Sequence, residues 1–158
     1  MRKHLSCIAL CLAAPIGAHA EAPDQPQTPE GYYALGEKFG KCAAFFSFMS
    51  QGALKAGKQE MAANLAQRRG DWSLATVVFL GFGHAADATG AGQTIMDAEV
   101  NRLQARFDAN PNTDAILTEM IADHHKQCDP LEPLRDGAVE ALKRSIQGGV
   151  VVRPTPER

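Results

Sequence analysis

The sequence predicts an all-α domain, a compact bundle of five or six helices pinned by one disulfide between Cys42 and Cys128. Three observations carry this expectation. Apolar residues recur at spacings of three and four along nearly the whole body of the chain. No segment shows the period-two alternation of a half-buried strand. Of the four cysteines, two fall in an N-terminal export leader, which leaves a single pair.

The leader is residues 1–20. A basic start (MRKH), an apolar run (LSCIALCLAAPIGA) and the small-x-small sequence AHA before Glu21 have the form of a cleaved Sec-type signal peptide. The apolar run is too short to span a bilayer, and Leu10 before Cys11 is too large for a lipoprotein cleavage site. The expected location is therefore periplasmic or secreted. Exported chains meet an oxidising environment, in which an even pair of cysteines becomes a disulfide. No CxxC spacing offers the pair a redox or metal role.

Loss of Arg2 and Lys3 with the leader takes the net charge from −2 to −4. Acidic and basic residues are mixed along the chain, so nothing here favours nucleic acid or an anionic membrane surface. No second apolar stretch is long enough to be an integral membrane segment.

Residues 21–29 (EAPDQPQTP) hold three prolines and read as a flexible linker. A single helical domain is expected over 30–149. Its first helix, about 30–56, places Leu35, Phe39, Cys42, Phe46, Met49 and Ala53 on one stripe. The next, about 58–88, carries Met61, Leu65, Trp72, Ala75, Phe79 and Phe82, with Gly70-Asp71 as an anticipated break. DATGAGQT, residues 87–94, reads as a glycine-rich loop ending in a cap at Thr94. A helix over about 95–109 follows, with Met96, Val100, Leu103 and Phe107 inward.

After Asn110-Pro111-Asn112, a helix over 113–127 lines up Leu117, Ile121, His124 and Cys128. Asp129-Pro130-Leu131-Glu132 has the signature of a fresh helix start. The last helix turns Leu134, Ala138, Ala141, Leu142 and Ile146 inward. Gly148 and Gly149 end it, and residues 150–158 form a proline-bearing tail in which only Val150, Val151 and Val152 are suited to pack on the body.

The segment IADHHKQCDP, residues 121–130, has the look of a metal or catalytic cluster. Its histidines diverge, because neighbours on a helix are about 100° apart. The usual zinc pair stands four residues apart, and neither HExxH nor Glu-x-x-His occurs. A metal site would need His84 and His124 to meet, with Asp87 or Asp123 nearby. Haem between Met49 and His124 is disfavoured by register: along helices joined at Cys42–Cys128, His124 comes level with Phe46. Ser47, Ser50, Ser73 and Ser145 lie in helical patterns outside any GxSxG elbow. Glu119, Asp123 and Lys126 share a solvated face. GFGHAADATGAG lacks a P-loop lysine. No enzyme activity and no cofactor are expected.

The candidate recognition feature is aromatic. In KCAAFFSFMSQG, Phe45 and Phe48 turn away from the core stripe toward the face of Lys38, Lys41 and Gly52. They need either a further helix over them or a partner, and Tyr32 and Tyr33 would extend the same patch. The leading expectation is a non-enzymatic exported protein acting by protein–protein binding in the periplasm, as an inhibitor or immunity-type protein or an envelope accessory factor. The alternative is a metal or haem carrier built on His84 and His124.

Overall fold

A computed structural model of the chain describes residues 28–147. The leader 1–20, the linker before residue 28 and the tail 150–158 lie outside the described residues. Those described are almost all helical, with no strand. The elements are α1 (Pro29–Lys55), α2 (Gln59–Phe82), α3 (Ala88–Asp108), α4 (Thr113–Cys128), a 3-10 turn (Asp129–Leu131) and α5 (Glu132–Gln147).

The first helix is the hub, packing most extensively on α2 and also on α3 and α4. Pro29 opens it, and Thr28 Oγ1 accepts from the Gly31 N–H at 3.2 Å. It closes in a Schellman turn: Gly57 takes φ +73°, its N–H donates to Leu54 O, and Lys58 N–H donates to Ala53 O at 2.8 Å. Between those ends Cys42, Ala43, Ala44, Phe45 and Phe46 are all buried, so neighbours cover this stretch on every side.

Two cores result. One joins α1 to α2 and holds Phe39, Phe46, Trp72 and Phe79 with the disulfide. The other joins α1 to α3 and α4 through Phe45, Phe48, Leu103, Ile116 and Met120. The Cys42–Cys128 disulfide is present, with Cα atoms 5.9 Å apart, and ties the end of α4 to the middle of α1.

Several sequence expectations need correction. No break occurs at Gly70-Asp71: α2 runs through. An exposed helical glycine costs only about 1 kcal/mol relative to alanine, and the burial of Trp72, Ala75 and Phe79 against α1 outweighs it. The expected loop at 87–94 is the first part of α3, capped by Asp87, whose Oδ1 accepts from the Gly90 N–H at 2.9 Å. Gly92 is there for close packing, since a Cβ on it would stand 3.2 Å from Thr76 of α2.

The stripe on α4 is displaced: Ile116 and Met120 are buried, while Leu117, Ile121 and His124 sit at its half-buried margin. Asp129-Pro130 opens a 3-10 turn rather than an α-helix, and α5 starts at Glu132. Asp129 keeps helical angles (φ −56°, ψ −40°), and α4, the 3-10 turn and α5 follow without intervening coil. The described chain thus traces four continuous helical runs, fewer than the five or six separate helices expected. On α5, Val139 is the buried residue, and Ala141 and Ile146 are exposed.

Candidate functional site

Phe45 and Phe48 do not form an outer face. They are 7% and 8% exposed, enclosed by α3 and α4. Phe45 stacks on His124 with centroids 4.1 Å apart, and Phe48 meets Phe107 edge-on at 5.8 Å. The second aromatic side of α1 is the seam to the next helices, which is the intramolecular cover that such a face requires. Tyr32 and Tyr33 lie elsewhere. Tyr32 rests on Phe79 and Phe82, at 6.2 and 5.5 Å. Tyr33 is on the surface, with its backbone beneath Gly83. Some thirteen residues of α1 separate Tyr32 from Phe45, an axial distance of roughly 20 Å.

The histidines are likewise kept apart. His124 packs on Phe45 and, edge-on, against Phe46 at 4.8 Å, at the height the helix register gives it. Burial, then the neighbouring His125 and more weakly Arg68, lower its pKa to about 4, with Asp129 opposing. It is therefore neutral at physiological pH. His125 points away, its Nδ1 3.1 Å from both carboxylate oxygens of Asp129.

His84 occupies the left-handed position (φ 59°) of the turn that ends α2, where its N–H donates to Gly81 O and the Ala85 N–H donates to Leu80 O. It neighbours the start of α1, beside Tyr33 and Glu37. Tyr33 and Phe45 are roughly 18 Å apart along α1, so His84 and His124 do not meet. Among the described residues, no group of three or more His, Cys, Asp or Glu side chains is placed to share an ion.

Around His124 lies a small polar cleft of about 100 Å³ bounded by Lys41, Glu99, Arg102, Arg106 and Asp123. Its carboxylates are engaged. Arg102 donates to Glu99 at 2.6 and 2.8 Å, and Arg106 donates to Asp123 at 2.7 Å and Glu119 at 3.2 Å. No hydroxyl lines the cleft, and its volume is well below the 300 Å³ or so at which ligand pockets begin. The Arg106 pairs clamp α3 to α4.

A larger, open recess lies between α2 and α5. An apolar groove of about 720 Å³ runs along them, walled by Val77, Val78 and Phe82 on one side and Leu134, Ala138 and Leu142 on the other. Tyr32 closes one end, and the small residues Gly81, Gly137 and Ala141 also line it. Phe82 is 57% exposed.

The start of α5 is held firmly against the body of the bundle. There the disulfide is three residues away from Leu131, Arg68 and Arg135 both reach Glu132 (3.6 and 3.2 Å), and the Arg135 guanidinium lies 4.7 Å over the Trp72 ring. Beyond this anchor Val139 is the buried residue of α5, and among the described residues apolar surface on α2 and α5 stays open. Sequence reasoning overlooked the groove, of which the sequence holds only the apolar character of its walls. VVFLGF is apolar nearly all round, and the α5 stripe includes Leu134, Ala138, Ala141 and Leu142.

No protein-family model, curated protein or solved structure matches this chain.

Proposed function

We propose that this is an exported, non-enzymatic helical protein that acts by protein–protein binding in the periplasm, and that its recognition surface is the α2/α5 groove. An inhibitor or immunity-type protein and an envelope accessory factor are the two forms this takes. The observation that carries the proposal is the open apolar groove with Phe82 at its lip. Contiguous apolar surface of this kind marks interaction sites.

The expected occupant is the apolar face of an amphipathic helix from another exported protein. A groove between two helices, floored by glycine and alanine, accepts large side chains spaced three and four residues apart. From Pro133 to Leu142 the α5 wall covers about 14 Å, or two to three helical turns of a ligand. The leader sequence and the disulfide support an oxidising compartment, and no helix among the described residues is long and apolar enough to cross a membrane.

Ala141→Arg tests the reading, because Ala141 is exposed and the arginine would block the groove with little effect on the core. The epitope-tagged protein, extracted from its native compartment, should elute on size exclusion as a complex larger than the protein alone. The variant should elute alone with an unchanged melting temperature. A wild-type protein that elutes alone, or a variant that keeps the complex, would overturn the proposal.

A further inference from the structure

A second cleft lies at the opposite end of α2, where the last turns of α1, the start of α2 and the facing parts of α3 and α4 converge. Its volume is about 310 Å³, at the lower bound for small-molecule sites, which run from about 300 to 1,000 Å³. Phe48, Met49, Met61, Phe107 and Leu117 supply its apolar lining. Met61 is 49% exposed, and methionine adapts readily to an irregular apolar guest.

Lys55 and Lys58 also line this cleft, and no Asp or Glu does. Among the described residues neither lysine forms an ion pair. An apolar recess with two ammonium groups that form no ion pair is complementary to an apolar tail ending in an anion. A cation would be repelled, and a neutral hydrocarbon would leave the lysines unused.

We infer that this cleft binds a single-chain anionic amphiphile, a free carboxylate carrying one acyl tail. The tail lies against Phe48, Met49 and Met61, and the carboxylate pairs with Lys55 and Lys58. A volume near the lower bound suits one chain better than two, which favours a free carboxylate over a two-chain lipid. The site shares no residue with the α2/α5 groove, so either can fail without the other.

Calorimetric titration of the full-length protein with sodium decanoate, kept below its micellar concentration, tests the inference against decan-1-ol as the uncharged control. Decanoate should bind saturably at one per chain. Lys55→Gln with Lys58→Gln should weaken decanoate about threefold to tenfold, the range for two exposed charge pairs, and leave decanol unchanged. Gly52→Phe should abolish binding of both: Gly52 lines the cleft, and a Cβ there meets nothing within 4 Å, so the ring fills the mouth without distorting α1. Melting curves matching the wild type would show that each variant is folded.

Absence of saturable decanoate binding overturns the inference. So does equal loss of decanol on removing the lysines, or a folded Gly52→Phe protein that binds as the wild type does.

Discussion

Acidification should destabilise this protein through His124, by an amount that the packing of one ring sets. The imidazole lies between Phe45 and Phe46, with centroids at 4.1 and 4.8 Å, and its pKa falls from the ordinary 6.5 to about 4. Burial is the first cause, followed by His125 and Arg68, while Asp129 pulls the other way. The unfolded chain takes up a proton at higher pH than the folded one. Stability from this group is therefore complete above about pH 6.5, declines as pH falls toward 4, and levels off below that.

The full interval between those two values corresponds to about 3.4 kcal/mol. Two effects reduce it. The ring keeps partial contact with solvent, which screens the charge, and an imidazolium over the Phe45 face would regain about 0.5–1 kcal/mol as a cation–π contact. Desolvation still wins, leaving about 1–2 kcal/mol. Urea unfolding at pH 7 and pH 4.5, for wild type and His124→Gln, isolates the term because the carboxylates titrate alike in both. The wild type should lose about 1–2 kcal/mol more than the variant. Identical losses in the two proteins, or an NMR titration of His124 with a midpoint near 6.5, would show that His124 does not set the acid sensitivity.

Other consequences follow from the same packing. The disulfide closes a separation of 86 residues, so Cys42→Ala with Cys128→Ala should cost about 4–5 kcal/mol in chain entropy, read as a lower urea midpoint; an unchanged midpoint would contradict it. Gly36→Ala puts a Cβ 2.8 Å from the Leu80 side chain and 3.0 Å from its backbone nitrogen, and the overpacking should cost about 1–3 kcal/mol. Gly70→Ala meets nothing within 4 Å in the middle of α2, and should stabilise by about 0.5–1 kcal/mol. His84→Gly relieves a left-handed residue and should raise the melting temperature; a lower one would mean that the His84 side chain holds the turn.

The helical class and the disulfide were legible because they rest on periodicity and on cysteine count, which are local properties. The seam over Phe45 and Phe48 was legible only as a choice. A second apolar face on α1 demands cover, and the spacing cannot say whether α3 and α4 or a partner supplies it. Helix starts misled where a residue had two uses. Gly90 and Gly92 resemble loop residues, yet Asp87 caps the helix ahead of them and Gly92 lets α3 approach Thr76. Asp129-Pro130 has the chemistry of a helix start, yet a 3-10 turn carries the chain through it. The α2/α5 groove escaped notice for a tertiary reason: no window of sequence records how far one helix stands from another.

The proposed recognition surface is tested most directly by a photo-crosslinking residue placed at Phe82, with Met61 at the other end of α2 as the control position. Both side chains are about half exposed, so exposure alone predicts equal yields. Phe82 should give a protein adduct, mapped to an amphipathic helical segment of another exported protein, and Met61 should give none. An adduct from Phe82 that maps to residues 148–158 of this same chain, or to a second copy of it, would contradict the claim.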